Sequence, residues 1–269
     1  MLPADLVAYA SGDPHTHAFG IYAVLEALKH RPAAVKTVLH DGSLEAARLA
    51  ALARACEEAG APLERDPHTL ERLRRRSDVE VLAVVEKADD RVSRITNHAL
   101  LVGPTHAGNL GTAIRSLLAF GIDEVALIGP KVDHWSPHVV RASVGLRFAV
   151  RCQAFPDAAA YLAACGARTL HLFDSGGASD AASAVFEPPY TLGFGPEGPP
   201  GAPVLSAARA TADWTEPLRS ALAEREGAAE SQRLQVHSIE LDPRAESLNL
   251  ASAITVAAFL ARRSNAGRE

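Results

Sequence analysis

Three short segments of this 269-residue chain place polar groups where a turn meets a regular element. In the first, HAGNLGTAIRSLLAFG, Asn109 stands near the start of a helical pattern. Arg115 follows roughly a turn and a half further on. The second segment, GFGPEGPPG, is a glycine-rich turn with one carboxylate, Glu197, and it offers backbone N–H and C=O groups to a ligand. The third, IELDPRAESLNLASA, leads from a strand-like run through a proline turn to Ser247 and Asn249, just ahead of a long apolar helix. Each segment also has a plain structural explanation. Asn109, Ser247 and Asn249 suit helix caps, Glu197 suits a turn, and Arg115 can be a surface arginine beside Ile114, Leu117 and Leu118.

Gly193, Gly195 and Gly198 also follow the order G-x-G-x-x-G. A dinucleotide site needs a helix to start at those glycines, and Pro199, Pro200 and Pro203 obstruct one. A nicotinamide or flavin site is therefore disfavoured.

The elements that must carry these groups follow from apolar patterning. Residues 98–103, 124–129, 169–174, 190–195 and 234–241 read as strands, and residues 109–121 and 247–263 as helices. Apolar strands separated by helices imply a parallel sheet covered on both faces, with ligands at the carboxyl ends of its strands. Ahead of them lies a smaller alternation. Residues 19–31 form a helix stopped by Pro32, residues 35–40 a strand, and a further helix opens with Ser43 as cap and closes at Gly60. A helix over 68–76 and a strand over 79–87 complete it. The polar stretch 87–97 is a natural boundary, so two α/β domains are expected, residues 1–92 and 93–269. Residues 202–233, rich in Ala, Arg and Glu, read as a helical insertion between the second and third segments.

Bulk properties narrow the class. Hydrophobic residues make up 48% of the chain and charged residues 22%, as in a folded globular protein rather than a disordered one. No apolar run reaches the roughly 18–20 residues that span a bilayer, and the N-terminal sequence lacks a basic, apolar leader; a cytoplasmic location with no membrane partner is expected. Cys56, Cys152 and Cys165 are scattered without metal-ligand spacing, and no metal is expected. The net charge of -5 argues mildly against nucleic acid. Charge is uneven, however: Arg72, Arg74, Arg75 and Arg76 form one basic run, and Arg141 with Arg147 a second. Either can be an RNA patch, and the first can equally be a solvated helix face.

Taken in order, Asn109, Gly111 and Arg115, then GFGPEG, then ESLNLASA resemble the motifs of the SpoU (TrmH-like) family of RNA ribose 2′-O-methyltransferases, within the SPOUT class. The segment SPHVVRASVGLRFAV between them is similar to that family as well, and FGIYAVLEAL with VLAVVEK resembles the ribosomal-protein-like domain in front of many members. The resemblance implies a parallel-sheet catalytic domain with a C-terminal trefoil knot, preceded by a smaller RNA substrate-binding domain. It implies S-adenosylmethionine as cofactor, an RNA substrate (ribosomal favoured, transfer possible) and a homodimer that builds each active site. By similarity Arg115, Asn109, Glu197, Ser247 and Asn249 are the catalytic group, and Gly195, Ile239 and Leu248 the cofactor contacts. Arg141, Arg74 and Arg75 are then RNA contacts. Several residues depart from the family pattern. Glu240-Leu241-Asp242-Pro243 stands where Pro-Met-x-Gly is common, Ala251 where a serine is frequent and His106 where an aspartate is common. Asp78-Val79-Glu80 likewise replaces the His-Gln-Gly ending of the first domain. The altered third motif keeps a second reading open, an RNA-binding protein that retains the fold without methyl transfer.

Overall fold

The computed structural model describes residues 8–73, 79–196, 213–224, 232–245 and 247–266. Its contacts group into two compact units. The first gathers Met1–Asp89, Leu110–Arg115 and Asp133–Val150; the second gathers Asp90–Asn109, Ser116–Val132 and Arg151–Glu269.

The first unit runs β1 (His15–Phe19), α1 (Ile21–His30), β2 (Val35–His40), α2 (Ala46–Ala59), β3 (Leu63–Arg65), α3 (Pro67–Leu73) and β4 (Val81–Glu86). Its sheet has the order β1-β4-β2-β3, with β4 antiparallel to β1 and β2, and β2 parallel to β3. The helix read from residue 19 begins instead at Ile21, because Phe19 is held in the sheet opposite Leu82. Ser43 does not cap α2: its hydroxyl donates to Asp41 at 2.6 Å, and Glu45 takes the cap position. Both faces of this sheet are packed. Val24, Leu28, Val38, Val85, Trp135 and Phe148 belong to one core, and Leu39, Leu70, Leu73, Leu82 and Val84 to the other. Each such aliphatic side chain contributes about 1.5–3 kcal/mol by leaving water.

Trp135 and Phe148 reach this core from the segment that holds α5 (Pro137–Ala142) and a 3-10 turn at Leu146–Ala149. Arg147, wholly buried, lies 3.7 Å over the Trp135 ring and donates to the Val150 carbonyl at 2.6 Å. Gly111 of α4 (Ala107–Ala119) is needed here for space: a β-carbon there would sit 2.5 Å from that of Ala142.

The second unit holds one sheet of seven parallel strands. Its order is β7 (Arg151–Phe155), β6 (Glu124–Ile128), β5 (His98–Val102), β10 (Tyr190–Phe194), β8 (Arg168–Phe173), β11 (Gln232–Ser238) and β9 (Ser179–Asp180). Strands β5, β6, β8 and β10 are buried along nearly their whole length, which is why they read as unbroken apolar runs rather than alternating ones. Helices α6 (Ala158–Cys165), α7 (Glu216–Ala223) and α8 (Leu250–Asn265) belong to this unit. Within residues 202–233, helix α7 is the described helix; residues 202–212 and 225–231 lie outside the described residues.

The polar run 87–97 is tied down by buried charges. Glu124 accepts from the Ser93 amide at 2.6 Å and the Thr96 hydroxyl at 2.8 Å, and pairs with Arg151. Arg168 donates to the carbonyls of Thr96 at 3.1 Å and Ser93 at 3.2 Å. Cys56, Cys152 and Cys165 are buried thiols outside any disulfide among the described residues. Among the described residues no helix is long and apolar enough to cross a membrane.

Candidate active site

The second unit carries a cavity of about 510 Å³ at the carboxyl ends of its strands. Phe173 ends β8, Phe194 ends β10, and Ile239 directly follows β11; all three line it. Helices α4 and α8 meet it with their first turns, through Asn109 on one and Asn249, Leu250 and Ala253 on the other. Six residues singled out from the sequence thus line one cavity: Asn109, Gly195, Ile239, Ser247, Leu248 and Asn249.

Two of them touch. The Asn249 side-chain amide donates to the Asn109 side-chain oxygen at 3.1 Å, while its own oxygen accepts from the Ala251 amide at 2.9 Å and caps α8. The cap reading therefore holds for Asn249. Asn109 lies inside the first turn of α4 rather than at its cap, a position held by His106. Ser247 lines the cavity ahead of the cap.

Sequence reasoning passed over Asp174 and Trp214. Asp174 follows β8 and accepts from the Gly176 amide and from the Trp214 indole N–H, each at 2.8 Å. Trp214 precedes α7 and lines the cavity directly beside Gly195; a β-carbon on Gly195 would lie 2.7 Å from the indole ring. The glycine is therefore a spatial requirement of this wall. The run TLHLFD ending a strand was the available signal for Asp174, since ligands gather at such ends. Nothing local announced Trp214, whose place depends on long-range folding.

The unusual third motif is resolved in physical terms. Asp242 accepts from the Arg244 guanidinium at 2.8 and 3.1 Å, which holds its carboxyl below the usual carboxylate range, and both side chains are exposed. The turn contributes Leu241 to the cavity, and neither Glu240 nor Asp242 lines it. Ala251 is buried in the first turn of α8.

The remaining expected site residues lie elsewhere. Arg115 is exposed on α4 and is not among the cavity residues. Arg141 lines a second, smaller cavity in the first unit. Glu197, Arg74 and Arg75 fall outside the described residues. Among the described residues no cluster of three His, Cys, Asp or Glu side chains is placed to hold a metal ion.

Comparison with known proteins agrees with this geometry. Residues 97–211 match the model of the SpoU rRNA Methylase family. A stretch of 131 residues is 31% identical to a 23S rRNA (uridine(2479)-2′-O)-methyltransferase of Streptomyces viridochromogenes; it covers 46% of this chain and 45% of that protein, so the match spans about half of the relative's length. The fold is similar to the crystal structure of the SpoU methyltransferase AviRb from the same organism in complex with AdoMet. That likeness has a TM-score of 0.69 and 26% identity over 94% of this chain and 92% of that one. An AdoMet-bound rRNA methyltransferase from Sinorhizobium meliloti is similar too, with a TM-score of 0.65 and 25% identity over 93% and 87% of the two chains. Three motif segments that meet around one cavity, in a chain similar to these structures over more than nine-tenths of its length, agree with the match of residues 97–211: that stretch is a SpoU methylase-family domain.

Proposed function

We propose that this protein is an S-adenosylmethionine-dependent RNA methyltransferase that modifies a ribose 2′-hydroxyl, with ribosomal RNA favoured over transfer RNA. The observation that carries the reading is the cavity itself, which Asn109, Gly195, Ile239, Ser247, Leu248 and Asn249 line together. Its apolar lining from Phe173, Phe194, Ile239, Leu241 and Leu248 suits the faces of an adenine, and exposed backbone of the turn at Gly195 suits its edge. Asp174, Ser175, Asn109 and Ser247 offer polar groups for the rest of the molecule. The absence of a β-carbon at Gly195 lets the Trp214 ring pack directly against that turn. When bound, the cofactor supplies an electrophilic methyl group on a sulfonium.

The chain's own residues then have distinct tasks. Gly195, Ile239 and Leu248 hold the cofactor, while Ser247, Asn249 and Asn109 shape the substrate side, with the Asn249–Asn109 bond fixing the two helix starts against each other. Glu197 belongs to the same group by its motif. Arg115 grips an RNA phosphate and places the hydroxyl; its planar fork of donors is suited to orientation and charge stabilisation. The substrate side extends to residues 1–92 as an RNA-binding domain, with Arg74, Arg75 and Arg141 as contacts. The same reading includes a homodimer, a trefoil knot in the C-terminal part of the catalytic domain, residues 93–269, and action in the cytoplasm without a metal.

The test is incubation of purified protein with tritiated S-adenosylmethionine and unmodified ribosomal and transfer RNA, followed by nucleoside analysis. Label in a 2′-O-methyl nucleoside is the expected result and names the RNA class. Absence of label together with absence of cofactor binding would replace the enzyme by an RNA-binding protein of the same fold.

A further inference from the structure

The first unit carries a cavity of about 130 Å³ that shares no lining residue with the one assigned above to the cofactor. Its wall includes Tyr9, His17, Phe19, His138 and Arg141. Three of these form a run of edge-to-face aromatic rings. Tyr9 and His17 lie 6.5 Å apart between centroids at 69°, and His17 and Phe19 lie 5.8 Å apart at 79°.

Two features make this more than a packing gap. His17 is 4% exposed, lines the cavity and makes no hydrogen bond among the described residues, so a nearly buried polar ring faces the space without a partner. Burial, the largest influence, lowers its pKa, and a neutral imidazole presents one donor and one acceptor. Tyr9, in turn, is fixed from behind. Its hydroxyl donates to Asp133, whose carboxylate also accepts from the Ser11 hydroxyl at 2.9 Å, and Lys87 sits 4.6 Å over its ring. The aromatic wall is thus built in advance. Arg141 is exposed and lines the same cavity, a cation where a chain of phosphates would run past.

Aromatic faces, a neutral donor–acceptor edge and a rim guanidinium are the features that recognise an unstacked nucleobase on its phosphate backbone. We propose that this cavity receives a single unpaired base of the RNA substrate, stacked among Tyr9, His17 and Phe19 and read at its edge by His17, with Arg141 on the adjoining phosphate. The inference rests on the RNA-methyltransferase reading and deepens it by assigning a base subsite to the first unit.

The test compares binding of single-stranded oligoribonucleotide and of fully duplex RNA of equal length to the full chain and to its His17→Ala and Arg141→Ala variants. Wild type should prefer the single strand. His17→Ala should weaken single-strand binding roughly five- to hundredfold, the range of one stacked base, with little change for duplex RNA. Arg141→Ala, a surface change that leaves the core intact, should weaken binding and reduce its salt dependence. S-adenosylmethionine affinity, measured by calorimetry on the same samples, should stay at the wild-type value in both variants. Variants that bind single strands as tightly as wild type overturn the base subsite while the methyltransferase reading stands. A His17→Ala protein that loses cofactor affinity has lost its fold, and Arg141→Ala then decides. Wild-type protein that binds cofactor but no RNA of either kind overturns both the subsite and the RNA reading.

Discussion

Arg115 and Asn249 ask different things of their surroundings. Arg115 is exposed on α4, and the partner proposed for it is a substrate phosphate. Arg115→Ala should lower methyl transfer by about a hundredfold, the scale of a lost positioning contact, and leave cofactor affinity measured by calorimetry unchanged. Arg115→Lys should restore little, because a point charge does not reproduce a planar fork. Full turnover in either variant would remove Arg115 from the reaction. Asn249 works through two bonds that can be separated. Asn249→Ala loses the cap of α8 and should cost about 1 kcal/mol in urea unfolding. Asn249→Asp keeps the cap acceptor but not the donor to Asn109, so stability should be retained while methyl transfer falls. An Asn249→Asp enzyme with wild-type turnover would reduce the residue to a cap.

At the level of elements, the parallel sheet hides histidines that must stay neutral. His171 of β8 stacks on His237 of β11 with ring centroids 5.2 Å apart, and both are buried. Burial, helped by the neighbouring His237, lowers the His171 pKa from 6.5 to about 4. Between those values the unfolded chain binds a proton that the folded one refuses, so the unfolded state gains as acid is added. The contribution to stability is complete above about 6.5 and is lost as pH falls toward about 4. The thermal midpoint should drop across that window, and His171→Phe should flatten the drop; an unchanged slope would mean that other groups govern it. Patterning made the central strands of this sheet legible, because a strand covered on both faces must be apolar throughout. It did not reveal β7, whose residues RCQAF alternate with charged and polar side chains, nor β1, whose HTHAF lacks a continuous apolar run. The cavity residues of the three motif segments were legible for a related reason: each stands where a strand ends or a helix begins, and that is where backbone groups are free to bind. Trp214 was not, because its position is fixed by Asp174, forty residues earlier in the chain.

For the whole molecule, the proposed homodimer predicts a mass near twice the 28.4 kDa of one chain by light scattering. If each active site takes Arg115 from the partner, mixing inactive Arg115→Ala and Asn249→Asp proteins should restore part of the activity, since one site of each mixed pair would be intact. No recovery from a mixture shown to exchange subunits would place Arg115 in its own chain's site.

The chain contains two tryptophans, and the structure gives one to each unit. Trp135 lies in the first core under the buried Arg147 guanidinium, whereas Trp214 lines the cavity at the strand ends of the second unit. The protein therefore carries a built-in pair of optical probes. With Trp135→Phe the remaining emission follows ligand entry beside Gly195, and with Trp214→Phe it follows unfolding of the first unit alone, so the two halves can be watched separately without any added label.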